Sequence, residues 1–84
     1  MLVTIGSMTT ATRAANIIRK NLGISAQVVS TPTKLNRGGC SYSVKFNEKY
    51  ELAVRKIVEA HSIPTRRWYS ESYNGNERVY DDIS

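Results

Sequence analysis

Cysteine occurs once in this sequence, at Cys40, so an intramolecular disulfide cannot form and a disulfide-stapled secreted scaffold is excluded. Histidine also occurs once, at His61, and no second Cys or His stands at metal-ligand spacing, which leaves no zinc motif to read. No catalytic triad or phosphate loop is spelled out, and neither a cofactor nor a resident metal is expected. Apolar runs are short, none approaching the roughly 18 residues of a membrane span. The opening residues, Met1-Leu2-Val3-Thr4-Ile5-Gly6, lack a basic segment ahead of a long apolar one, so no signal peptide is expected and the cytoplasm is the expected compartment. Acid is missing from the first half. Residues 1–47 carry Arg13, Arg19, Lys20, Lys34, Arg37 and Lys45 without one Asp or Glu, whereas Glu71, Glu77, Asp81 and Asp82 gather near the C-terminus.

What is present suffices for one small folded domain. Of 84 residues, 40% are hydrophobic, too many for disorder but enough only for a small core. Residues 2–5 read as a strand stopped by Gly6-Ser7. From Ala11, the apolar positions Ala14, Ala15, Ile18 and Leu22 fall on one helical stripe, with N-caps available at Ser7, Thr9 and Thr10 and a C-terminal stop at Gly23. Residues 24–29 alternate like a strand up to Pro32, and a basic, turn-rich loop follows. Cys40, Tyr42, Val44 and Phe46 then alternate with Ser41, Ser43 and Lys45, the pattern of a half-buried strand. Asn47 caps a second helix with the stripe Tyr50, Ala53, Val54, Ile57, Val58, His61, closed by Pro64. Residues 65–73 are a fourth strand. Asn74-Gly75 signals a hairpin that would set Glu71 opposite Arg78, Tyr69 opposite Tyr80 and Arg67 opposite Asp82.

The order β-α-β-β-α-β predicts an α+β, ferredoxin-like two-layer sandwich over residues 1–73. Both helices would cover one face of an antiparallel sheet ordered 4-1-3-2, and residues 74–84 would form an extra hairpin strand or tail. In that topology the third strand runs against the first, so its start meets the first strand's end, where helix 1 begins. Cys40 would then lie near Thr9 and Thr10, whose free backbone N–H groups and helix dipole favour an anion. Lys34 and Arg37 add positive charge, while Gly38 and Gly39 permit close backbone approach and the positive φ angles of an anion-binding nest. Such surroundings lower a thiol pKa and raise its thiolate fraction. Cys40 also shares the parity of Tyr42 and Val44, so the residue pattern admits a second reading, a small buried hydrophobe.

Ser30-Thr31-Pro32-Thr33 followed by Gly39-Cys40-Ser41 resembles the Pro-Thr-Pro-Arg and Gly-Cys-Gly elements of the selenium/sulfur carrier-like family of short bacterial domains. The resemblance covers about residues 3–70 and includes Thr10-Ala11 at the start of helix 1. It implies the same fold and a carrier, not an enzyme, that holds a persulfide or selenide on Cys40. It further implies that Thr9, Thr10, Gly39 and Ser41 stabilise the anionic sulfur, and that the partners are sulfur or selenium donor and acceptor proteins. The chain departs from the family pattern at Ser30, Thr33 and Ser41; Lys34 and Arg37 could supply the charge of the missing arginine.

Two other classes compete. A net charge of +5 suits a small nucleic-acid-binding module with weak, non-specific affinity. Against base stacking, Tyr42 and Phe46 share the parity of Val44 and should face the helices, leaving Ser41, Ser43 and Lys45 on the open face. A regulatory or assembly module would pair through that open face, with Leu2, Val29 and Tyr69 making a homodimer contact.

Overall fold

The computed structural model describes residues 1–35 and 41–83. They form β1 (Leu2–Gly6), α1 (Met8–Leu22), β2 (Ala26–Ser30), β3 (Tyr42–Phe46), a 3-10 turn (Glu48–Tyr50), α2 (Glu51–Ala60), β4 (Trp68–Asn74) and β5 (Glu77–Asp82). The fold is α+β: two helices and a five-stranded sheet in the order β2-β3-β1-β4-β5, with every neighbouring pair antiparallel. None of these helices is long and apolar enough to cross a membrane.

The helix α1 begins where Ser7 accepts a hydrogen bond from the Thr10 N–H at 3.1 Å, and it ends at Gly23, whose φ of 63° is the left-handed turn that glycine adopts without strain. Its stripe Ala11, Ala14, Ala15 and Ile18 is fully buried. These residues join Val3 and Ile5 of β1, Val44 and Phe46 of β3, Val54 and Val58 of α2, and Trp68 of β4 in one apolar cluster. Both helices therefore close the same side of the sheet. Leu22, Val28 and Ile57 are only partly buried at its margin. Trp68 meets Phe46 edge to face at 6.2 Å and carries the Arg55 guanidinium 4.3 Å above its ring. His61 departs from its expected place on the α2 stripe. The helix ends at Ala60, His61 becomes its exposed cap, and its carbonyl accepts a hydrogen bond from Arg13 at 3.5 Å.

The hairpin register also differs from expectation. Asn74 pairs with Glu77, Tyr73 with Arg78, Glu71 with Tyr80 and Tyr69 with Asp82. The two turn residues are Gly75-Asn76, one position later than Asn74-Gly75. Gly75 takes φ 67° at the first turn position, which is where a II′ hairpin turn requires glycine. The shift leaves every side chain on its expected face. Arg67 still reaches Asp82 at 3.1 Å and Arg78 still reaches Glu71 at 3.6 Å, now as diagonal neighbours.

The open face is not open in its middle. Leu2, Thr4 and Ser43 are buried, Ser43 completely, so Ser43 is not presented to solvent and Leu2 is not free for a dimer contact. Ser43 shares a hydrogen bond with Thr31 at 2.6 Å. Beyond Thr31 the chain turns, with the Leu35 N–H bonded to the Pro32 carbonyl, and Lys34 reaches Glu77 at 2.7 Å. Since β2 and β5 are opposite edges of the sheet, this short segment straps one edge to the other across about 19 Å of strand spacing.

Candidate functional site

Strand β3 starts beside the start of α1. Tyr42 is the register partner of Gly6, which immediately precedes the Ser7 cap, and the pairing shifts between Thr4 and Gly6 in a bulge. The third strand's opening is thus adjacent to the first helix turn. Of the residues expected to form a pocket there, Arg37, Gly38, Gly39 and Cys40 lie outside the described residues.

Thr9 is exposed and Thr10 half-buried on the first turn of α1. The Thr10 N–H is committed to the cap, and Ser7 Oγ in turn donates to Thr10 Oγ1 at 2.8 Å. Among the earliest helix donors, the N–H groups of Met8 and Thr9 are left with no acceptor inside the helix. Ser41 is half-buried, and its carbonyl accepts the Thr31 N–H at 2.9 Å. Lys34 is placed elsewhere. It lies against β5, where Glu77 accepts from its ammonium at 2.7 Å and the Arg78 carbonyl at 3.4 Å. No acid precedes Glu48 in sequence to offset Lys34, but the fold supplies one from the far end of the chain. The Lys34 hydrogen bond and charge hold the Glu77 carboxyl below its ordinary value of 4.5.

Positive charge at this end of the sheet comes instead from Arg66. The segment leading into β4 runs beside β1: the Arg66 N–H donates to the Thr4 carbonyl and the Thr4 N–H to the Arg67 carbonyl, both at 2.8 Å. The Arg66 guanidinium lies flat against Gly6. A β-carbon on Gly6 would come within 3.2 Å of its Cζ and Nη2, and the Gly6 φ of 114° is a conformation other residues rarely adopt. Gly6 therefore makes room for the guanidinium. Arg66 has no carboxylate partner among the described residues. Thr4, Thr31, Gly6 and Arg66 did not stand out in the sequence as site residues. The only usable signals were a glycine directly ahead of a helix cap and the Arg66-Arg67 pair, which reads just as well as an edge-strand pattern.

Near this junction Thr4, Thr31, Ser41, Arg66, Arg67 and Tyr69, together with Leu35, line a cavity of about 220 Å³. Among the described residues no group of three or more His, Cys, Asp or Glu side chains could hold a metal ion.

An antiparallel sheet with two helices on one side, and a small cavity between β1, β4 and the segments that follow β2 and precede β3, define a small α+β domain. Residues 1–70 match the family described as "Putative Se/S carrier protein-like", and the chain belongs to that family. No curated protein and no solved structure matches it.

Proposed function

We propose that this protein carries sulfur or selenium on Cys40. The observation that carries the reading is family membership over residues 1–70, a span that contains the chain's one cysteine. The surroundings built by the described residues support it: helix N–H donors, the Ser41 hydroxyl and the Arg66 guanidinium, which has no carboxylate partner among the described residues, stand where β3 begins. Thiolate is the reactive form of cysteine, and a cationic neighbourhood increases its share near neutral pH. In this reading Arg37, Gly38, Gly39, Thr9 and Thr10 hold the charged sulfur together with Ser41. The order β1-α1-β2-β3-α2-β4 is taken as a ferredoxin-like core to which β5 is added.

Loading is an exchange between sulfurs. The Cys40 thiolate attacks the outer sulfur of a donor protein's persulfide, one S–S bond forms as another breaks, and the donor leaves as its thiolate. No oxidant is consumed. A second exchange hands the sulfur to an acceptor, so the protein is a carrier with donor and acceptor partners and needs no cofactor of its own.

The test is intact-mass analysis after incubation with a cysteine desulfurase and free cysteine. A single added sulfur, removed by reductant and absent in Cys40→Ser, is the expected result. Native protein that resists alkylation while unfolded protein reacts at once would make Cys40 a buried core residue and end the carrier reading.

A further inference from the structure

We infer that the cavity at the β1–β4 junction is a binding site for a small tetrahedral oxoanion of the phosphate or sulfate class. Its volume, about 220 Å³, lies below the range of roughly 300–1,000 Å³ that holds nucleotides, cofactors or drug-sized ligands. A compact ion with a few waters, each about 30 Å³, fits.

The walls select the sign of the charge. Four hydroxyl-bearing residues, Thr4, Thr31, Ser41 and Tyr69, and two arginines, Arg66 and Arg67, line the cavity, and no carboxylate does among the described residues. Some of these groups are already engaged. Thr4 Oγ1 accepts the Arg67 N–H at 2.9 Å, Thr31 is bonded to Ser43, and the Arg67 charge is paired with Asp82. The Ser41 hydroxyl, the Tyr69 hydroxyl and the Arg66 guanidinium have no hydrogen-bond partner among the described residues. Three residues bearing such donors thus line one small space, and one of them carries a planar cationic fork whose geometry matches an oxoanion edge. Arg66 is seated against Gly6, where a β-carbon would press on its guanidinium at 3.2 Å.

The anion site stands whether or not Cys40 carries sulfur. Its use, holding the oxoanion group of a reactant, rests on the carrier reading. The experiment is calorimetric titration of the full chain with inorganic phosphate and with sulfate, at ionic strength matched by chloride. Saturable binding is expected, weakened at least about tenfold in Arg66→Ala because a charged hydrogen-bonding fork is removed. Tyr69→Phe should weaken it a few-fold. Lys20→Ala, which removes an exposed cation at the far end of α1, should leave it unchanged. Glycerol phosphate, titrated in parallel, separates the sources: equal affinity assigns the site to a phosphate ester, and weaker affinity to the free ion. No saturable binding, or equal losses in Arg66→Ala and Lys20→Ala, would overturn the assignment, since the second result is charge screening alone. Cys40→Ser keeps the two proposals apart. It should bind the anion normally, so anion binding without sulfur loading sinks only the carrier reading, and sulfur loading without anion binding sinks only this site.

Discussion

On the helix side of the sheet, Val3, Ile18, Val44 and Val54 are wholly withdrawn from water in one apolar cluster. On the other side, Leu2 is buried beside three hydroxyl side chains, Thr4, Thr31 and Ser43, that are nearly as deeply withdrawn. The first side is closed by regular elements whose residues repeat at helix and strand periods. The second is closed by a short irregular segment, held by a hydroxyl pair at one end and an ion pair at the other. Apolar burial gains with every square ångström and tolerates approximate geometry. Hydroxyl burial contributes only when each donor finds its acceptor, and it costs when one does not. The same sheet therefore has a robust face and a conditional one.

Three substitutions probe that difference, in falling order of expected effect. Ile18→Ala opens a cavity in the robust face and should cost about 2–5 kcal/mol, a large part of a small domain's stability. Urea unfolding measures it, and a loss below 1 kcal/mol, on the order of a surface change, would contradict the core assignment. On the conditional face, Ser43→Ala strands the buried Thr31 hydroxyl and should cost about 1–3 kcal/mol. The sharper form is the double variant Thr31→Val with Ser43→Ala. It removes both polar groups and should recover most of the loss, which a merely space-filling role for Ser43 would not allow.

The smallest effect belongs to Glu77→Gln. Lys34 holds the Glu77 carboxyl below its ordinary value, so the folded state favours the ionised form. The stability from this pair is present above the ordinary carboxylate range and is lost as pH falls through the lowered value. The thermal midpoint of Glu77→Gln should lie slightly below that of the natural sequence at neutral pH, and the two should converge in acid and in high salt. A gap that persists in acid would mean that Glu77 acts through something other than its charge.

These two faces also differ in how far the sequence exposes them. The α1 stripe from Ala11 to Leu22 and the alternation Tyr42, Val44, Phe46 are local periodicities, and they placed both elements and the buried side correctly. Boundaries moved where capping decided them: α2 starts one turn late because Asn47 caps a 3-10 turn, its side chain accepting the Lys49 N–H at 3.0 Å. The hairpin frame was ambiguous by one residue, since both Asn74-Gly75 and Gly75-Asn76 place a glycine in the turn. The conditional face was not legible at all. Lys34 meets Glu77 across 43 positions and Arg66 rests on Gly6 across 60, and neither contact leaves a periodic trace. Ser43, polar on a strand that should have one wet side, was read as exposed for the same reason.

The match to the family stops at residue 70, partway along β4, while the carboxylate that anchors the strap is at position 77. The part of the chain that matches the family and the carboxylate that fastens the strap are thus different. In this protein the C-terminal hairpin works as a clasp on the segment after β2. The placement of that segment then depends on Glu77, and a substitution there can release it without any change in the apolar core.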